Sequence, residues 1–488
     1  MQGKELKSTK TLAFGVMKMY QKTDRNQLKF YDFIQPFGGK LDINNRWVKL
    51  SEQINWDYIE DGYASLFGET GNPAKTCRVA FGSLLIQEKL HLTDKELVLQ
   101  LTENPYLQYF IGNDEYSTKP PFTSPALVSF RKRFTAEMIA EINEGIFIKE
   151  KDDDEDNDGD TPNKGVLIID ATCAPADIAF PTDHELLNQS RKITEEIIDV
   201  LHKPDIGTKK RPRTYRKKAR KSYLNLSRSK RKTTKAIRKA IRYQLECLTR
   251  NLRIIDNYKP SEDALNNRYN QLLQTIRTIY EQQKYMYTEN VRSVPNRIVN
   301  LYQPYVRPIV RGKARAKVEF GSKIAISIVN GYTFIDKISF DSFNEGSELE
   351  DVLKNHKKRF GCYPTAIMAD KIYRSSGNLA LCKELGIRLS GPKLGRPTKN
   401  DKEERKQERI DTKIRNQVEG KFGEGKRKYG LDLVMTKLEE TSKTAISIKF
   451  LVMNLERRLR VLFAFFENRA NMLFGKCYNV GFCEYSVI

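Results

Sequence analysis

The chain has 488 residues, room for about two to four domains, and 39% of them are hydrophobic, enough to bury a core. Its 85 Lys and Arg outweigh 62 Asp and Glu, and the resulting charge of +23 implies a polyanionic partner, nucleic acid being the commonest. No apolar run suits a signal peptide or a membrane span, and seven cysteines and four histidines show no metal-ligand spacing, so a soluble intracellular protein without zinc is expected.

After an N-terminal extension (1–42), residues 43–149 read as helical. Within them LLIQEKLHL (84–92) is followed by Thr93, Asp94, Lys95 and Glu96. Thr93 with Glu96 has the form of a capping box, which predicts a second helix from Asp94 through Leu97 and Leu101. Two short helices across a tight turn suggest helix-turn-helix geometry for reading DNA, or an ordinary helical hairpin in a bundle. EKDDDEDNDGD (150–160) holds eight acids and repels itself, so 150–163 reads as a solvated linker.

The periodicity then changes. VLIID (166–170) is an apolar run ending in an acid, as a buried strand would read. Residues 183–300 have a helical pattern. Strand-like alternation returns at 317–330 and, after a turn at Gly331, at 332–340. A helix over about 347–359 precedes TAIMAD (365–370), a second apolar strand ending in an acid. Helix, strand and helix follow, and the stripe Ile446, Phe450, Val452, Leu455, Leu459, Leu462 reads as a packed C-terminal helix before a tail (467–488). Strands alternating with helices give an α/β layer architecture.

The two strand-ending acids, Asp170 and Asp370, carry the first chemical expectation. Sites in open α/β sheets form at the carboxyl ends of strands, and carboxylates delivered there can share divalent ions that activate water at a phosphodiester. A third acid is offered by Glu419. In a helix, Arg415 four residues before it and Lys426 seven after it share its face, an arrangement suited to a metal-and-phosphate site or to an exposed ion pair. Glu424 is a fallback for Glu419, and Asp177 and Asp183 either approach the same place or cap turns and helices.

The spacing R-x3-E-x6-K, from Arg415 through Glu419 to Lys426, resembles the signature around the catalytic glutamate of bacterial insertion-sequence DDE transposases. That pattern begins with a tyrosine three residues before the arginine, where this chain has Thr412. The stretches around Asp370 (ADKIYRSS, 369–376) and Asp170 (LIIDATC, 167–173) are similar to the family's two aspartate motifs. FGETGNPA (67–74) with ENPYLQYFIG (103–112) resembles its N-terminal domain, and VRPIVRGK (306–313) with EFGSK (319–323) the approach to its core strands. The resemblance implies a ribonuclease H-like mixed sheet with flanking helices over 164–184 and 301–466. An all-α DNA-binding domain (43–149) would precede it and a helical basic insertion (185–300) would interrupt it. It also implies that Asp170, Asp370 and Glu419 bind two Mg²⁺ or Mn²⁺ ions. Element ends would be cut and joined to target double-stranded DNA by a bacterial cytoplasmic, nucleoid-associated enzyme, working as a homodimer in the synaptic complex. Arg415 and Lys426 would be phosphate or end-DNA contacts, and Lys371 and Tyr373 would touch DNA beside Asp370.

Residues 209–242 supply 17 of the chain's cations and no acid, leaving +6 elsewhere, so backbone binding is expected there. Among these, the DNA contacts expected are Lys209, Lys210, Arg211, Arg213, Arg216, Lys217 and Lys218, then Arg220, Lys221, Arg228, Lys230, Arg231 and Lys232. Two further readings stay open: a catalytically inactive DNA-binding descendant, and a ribonuclease H-like nuclease without strand transfer.

Overall fold

The computed structural model describes residues 22, 33–35, 39–69, 73–148, 162–258, 260, 264–310, 318–391 and 402–474. The acidic run, most of the N-terminal extension, the end of the C-terminal tail and residues 311–313 of the VRPIVRGK block lie outside them. The chain divides into two compact units, Met1–Asp156 with Ser447–Val487, and Asn157–Ile446.

The first unit is helical: α1 (Arg46–Glu52), α2 (Trp56–Ala64), α3 (Cys77–Leu90), α4 (Asp94–Glu103), α5 (Pro105–Phe110), α6 (Ala126–Arg133) and α7 (Ala136–Phe147). Short polar side chains start most of them, because an Asn or Thr oxygen can accept from a backbone N–H that has no partner inside the helix. Asn45, Asn55, Thr76, Asn104 and Thr135 each do so. Aromatic rings fill the centre, Trp47 edge-on to Phe110 and Tyr63 stacked on Phe134.

The α3–α4 turn follows the sequence reading. His91 turns the chain in a left-handed conformation, and Thr93 Oγ1 accepts from the Glu96 N–H at 3.2 Å. Arg131 of α6 braces the turn by donating to Gln87 (2.7 Å) and pairing with Asp94. The exposed side of α4 carries Lys95, Leu99 and Glu103, a face without net positive charge. Thr93→Ala is expected to cost about 1 kcal/mol of stability, measurable by urea denaturation, because the Glu96 N–H loses its partner.

The second unit opens with β1 (Val166–Pro175) and four long helices, α8 (Asp183–His202), α9 (Arg216–Arg228), α10 (Thr234–Tyr258) and α11 (Asn267–Thr288). Ile197, Ile198, Leu248, Ile255, Ile276 and Ile279 of α8, α10 and α11 form a buried core of their own. Then come β2 (Arg307–Val310), β3 (Val318–Val329), β4 (Tyr332–Ser339), α12 (Leu349–Phe360), β5 (Ala366–Met368), α13 (Ser376–Glu384), β6 (Arg388–Leu389), α14 (Lys402–Lys428) and α15 (Glu439–Phe474). Asn330 and Gly331 both have positive φ, the backbone that a tight β3–β4 hairpin demands.

The sheet is mixed, in the order β2-β3-β1-β5-β6, with β4 beside β3. β3 runs antiparallel to β1, β2 and β4, while β1, β5 and β6 are parallel. This mixed sheet with flanking helices, and helices ahead of it, is the α/β class expected, consistent with a ribonuclease H-like domain. The sequence reading carried the core through residue 466. From Ser447 onward, α15 instead bonds within the first unit, Lys449 pairing with Glu88 and Asn454 donating to Asn143. No helix among the described residues is long and apolar enough to cross a membrane.

Candidate active site

Asp170 does not end its strand, as the sequence suggested; β1 continues to Pro175 because β3 pairs with it along that whole length. It lies instead just beyond the last parallel pair with β5. Paired positions of β1 and β5 differ by 200 throughout, ending at Ile168 and Met368, so two residues further on Asp170 and Asp370 leave the ladder side by side. The half-buried Asp170 carboxyl accepts from the Ala171 N–H at 2.8 Å. Burial pushes its pKa up to about 6, with the Glu345 and Asp370 carboxylates adding to the rise and the Ala171 N–H and Arg415 opposing it.

Asp370 is 54% exposed at its side chain and starts a 3-10 turn, Lys371–Tyr373, by accepting from the Lys371 N–H at 2.6 Å. Arg415 Nη1 lies 3.7 Å from its Oδ1. The helix bearing that arginine is unbroken through Gly420, Gly423 and Gly425. Asp411, Val418 and Gly425, seven apart, are its buried seam, and Asp411 is fastened to Arg388 at 2.5 Å. Arg415 and Phe422, each four residues past a seam position, sit half-buried at its edge. Glu419 and Lys426, each one residue past the seam, are turned about 100° from it; Glu419 is exposed and Lys426 half-buried.

Thus Asp170, Asp370 and Arg415 come together, while Glu419 stands one turn beyond Arg415 on the exposed side. Among the described residues, no three or more His, Cys, Asp or Glu side chains are grouped so as to hold a metal ion. The donor set nevertheless suits a hard divalent cation. It is all carboxylate oxygen, and burial beside like charge, which disfavours the ionised form of Asp170, is a cost that a bound cation would relieve.

The neighbouring expectations sort by what each side chain touches. Lys371 is exposed, but Tyr373 is only 2% exposed, so its side chain packs inward and does not offer the surface contact expected of it. Burial raises its hydroxyl well above the ordinary tyrosine range, as does the charge of Glu345 and Asp170. Glu424 is engaged by Lys421 (3.6 Å) and Lys428 (3.8 Å). Asp177 pairs with Lys437 at 2.5 Å and Asp183 with Arg297 at 2.5 Å, structural uses that take both away from Asp170. Glu345, which no sequence motif marks, is the acid that the fold adds: it lies in a 3-10 turn (Glu345–Glu348) packed on the turn after Asp370.

In the basic segment, Asp199 holds Arg211 at 2.5 Å and Arg216 at 2.8 Å, and Asp205 holds Lys209 at 3.1 Å. Lys210, Arg213, Lys217, Lys218, Arg220, Lys221, Arg228, Lys230, Arg231 and Lys232 are exposed. Helix α9 buries only Ala219 fully. Lys217, Lys221 and Arg228 fall within about 40° of one another around its axis, one cationic face. Two tyrosines lie among these cations: Tyr215 is exposed under Arg250, whereas Tyr223 turns in to stack on His184.

Residues 367–456 match the family model described as Transposase DDE domain, and residues 36–133 match Transposase domain (DUF772). The first match takes in Asp370, Arg415, Glu419 and Lys426; Asp170 lies outside both. An uncharacterized protein, ORF8 in the nfe locus of Rhizobium meliloti, is 27% identical over 156 residues, 31% of this chain and 73% of that protein. No solved structure matches the chain. Two transposase models falling in order on a helical N-terminal region and on a mixed-sheet domain identify the chain as a member of the DDE transposases, insertion-sequence proteins that act on DNA.

Proposed function

We propose that this transposase cuts the ends of an insertion sequence and joins the freed 3′-hydroxyls to target double-stranded DNA. Asp170, Asp370 and Glu419 would hold two Mg²⁺ or Mn²⁺ ions. The observation that carries the reading is the β1–β5 register, which brings Asp170 and Asp370 abreast with Arg415 3.7 Å from Asp370. Two ions bound there would supply an activated water and neutralise the leaving oxygen. Arg415, beside Asp370, would offer a forked cation to a phosphate next to the carboxylates. Glu419 and Lys426 share its helix and lie within about 40° of it around the axis, so a duplex seated on that face would meet all three.

The exposed cations of α9 and its flanks would grip DNA backbone nonspecifically, holding the duplex while the site acts. Since two element ends must be synapsed, a homodimer on the bacterial nucleoid is the working form proposed.

The test uses labelled DNA carrying the ends that flank the gene, the full chain with and without Mg²⁺, and a Glu419→Gln variant. Metal-dependent cleavage is expected, reduced at least 100-fold by the variant while DNA binding persists. Binding without cleavage under any divalent metal would favour an inactive descendant, and cleavage without joining a nuclease. Equal cleavage by the variant would remove Glu419 from the site.

A further inference from the structure

A few side-chain contacts set the directions of helices α8 to α11, and with them the place where the charge of the basic segment ends up. Asn251 donates to Thr194 at 3.0 Å and His202 meets the Tyr258 hydroxyl at 3.1 Å, so α10 runs parallel to α8. Arg250 donates to the Thr214 carbonyl just ahead of α9, while Tyr223, further along α9, donates to Glu185 at the start of α8. Helix α9 is therefore antiparallel to both. Arg238 donates to the Tyr287 carbonyl, and Thr249 and Tyr280 share a hydrogen bond, which makes α11 antiparallel to α10 as well. The end of α9, the starts of α10 and α8 and the end of α11 thus lie together. From this end of the bundle both connections to the sheet leave, 176–182 back to β1 and 289–306 on to β2.

The fold sorts the cations between the two ends. Away from the sheet, Asp205 holds Lys209, and Asp199 holds Arg211 and Arg216. At the sheet end, the α9–α10 turn and its flanks present Arg228, Lys230, Arg231, Lys232, Lys235 and Lys239, all exposed. Among the described residues no acid pairs with any of these six; the ion pair nearest in sequence joins Arg242 to Glu246. Folding alone does not favour this arrangement. Lys235 and Lys239 repel each other one helical turn apart, and the first turn of α10, where the helix dipole favours anions, holds Lys235 and no acid. Thr233 caps that helix by accepting from the Ala236 N–H at 3.3 Å, but it brings no charge. A phosphate backbone laid over the turn supplies the missing anion and offsets the repulsion.

The direction of the strands relates this end to the two aspartates. β1 and β5 are parallel, so past Ile168 and Met368 both head toward the end of the sheet that carries the bundle. β1 continues from Asp170 to Pro175, where the connection to the bundle begins, about 17 Å along the strand. A duplex laid along β1 from Asp170 and Asp370 reaches the root of the bundle within about half a helical turn.

We propose that the tip of the α9–α10 hairpin, from Arg228 to Lys239, is where the bundle grips the phosphate backbone, within about one helical turn of the DNA terminus being cut. The opposite end of the basic segment takes little part. The position near the cut rests on the assignment of Asp170 and Asp370 as the cutting site; the contact with DNA does not.

Fluorescence anisotropy of the full chain with a labelled duplex bearing an element end, titrated across a range of salt, reads the number of phosphates held. Wild type is compared with a tip variant, Lys230→Gln/Arg231→Gln/Lys232→Gln/Lys235→Gln, and a far-end variant, Lys209→Gln/Lys210→Gln/Arg211→Gln/Arg213→Gln. Far-ultraviolet circular dichroism checks that each is folded. The slope of log K against log salt should become shallower by about 3 in the tip variant and by less than about 1 in the far-end variant, at about 0.9 per phosphate contact. Equal losses in the two variants, or none in the tip variant, overturn the grip. Iron-EDTA tethered at Ser229→Cys should cut the duplex within about one helical turn of the element terminus, while the same reagent at Thr208→Cys should not, with wild type treated alike as the blank. Cutting from Ser229→Cys spread evenly along the duplex overturns the position near the terminus. Both readouts are taken without Mg²⁺ and need no catalysis. A failed assignment of Asp170 and Asp370 would therefore show itself separately, as a wild type that grips DNA at the tip and never cuts it.

Discussion

Asp170→Asn is expected to destroy cleavage and, in the metal-free protein at neutral pH, to make the chain more stable than wild type. The reason is the environment of β1. Burial raises the Asp170 pKa from 3.8 to about 6, so the folded state binds a proton more tightly than the unfolded chain does. Wild-type stability is therefore highest below about pH 4 with respect to this group and declines as pH rises through 6. A displacement of about two units corresponds to a ceiling of about 3 kcal/mol, and partial solvation brings the expected gain to about 1–3 kcal/mol. Asparagine keeps an oxygen for the Ala171 N–H and carries no charge to desolvate. Urea denaturation of both proteins at pH 4 and pH 7.5, without metal and with Mn²⁺, checks this. The variant should be the more stable at pH 7.5 without metal, should converge on wild type near pH 4, and should gain less from Mn²⁺. A variant no more stable than wild type at pH 7.5 would mean that β1 bears the ionised Asp170 without penalty.

A second large effect is expected at Gly321. Its position in β3 faces Pro175 of β1 on one side and Arg307 of β2 on the other. A Cβ there would run into the Ala174 carbonyl oxygen and come 2.8 Å from Cα of Pro175. Both obstacles are backbone atoms of a paired strand, so no side-chain rotation relieves the overlap. Gly321→Ala should cost about 3–5 kcal/mol, the range of severe overpacking, and lower the melting temperature or the soluble yield accordingly. Gly420→Ala is the control: nothing lies within 4 Å of a Cβ there, and helix α14 should gain about 0.5–1 kcal/mol. Equal tolerance at the two positions would mean that β1 and β3 can separate locally without loss.

How much of this was readable beforehand depends on the range over which each feature is determined. The apolar runs before Asp170 and Asp370, and the four- and seven-residue spacing around Glu419, are local, so strands and helix were legible. So was the Thr93 cap, which needs only four residues. The end of β1 was not, because it is set by pairing with a strand about 150 residues away. Nor was the inward turn of Tyr373, decided by what packs over a three-residue turn. Glu345 carried no mark at all, since only the docking of two turns brings it near the turn that follows Asp370. In the basic segment the count of cations was plain, but the capture of Arg211 and Arg216 by one aspartate joins residues 12 and 17 positions apart.

The flanking of Gly321 by Pro175 and Arg307 has a wider consequence. The chain leaves the sheet after Pro175 and re-enters at Arg307 two strand spacings away, a gap of about 10 Å. Residues 176–306 thus form a cassette whose two ends are held nearly together by the sheet, and whose helices keep a hydrophobic core of their own. The entropic penalty of closing so long a detour grows only with the logarithm of its length. Insertions, deletions or exchanges within the cassette should therefore leave the strands that bring Asp170 and Asp370 abreast as they are.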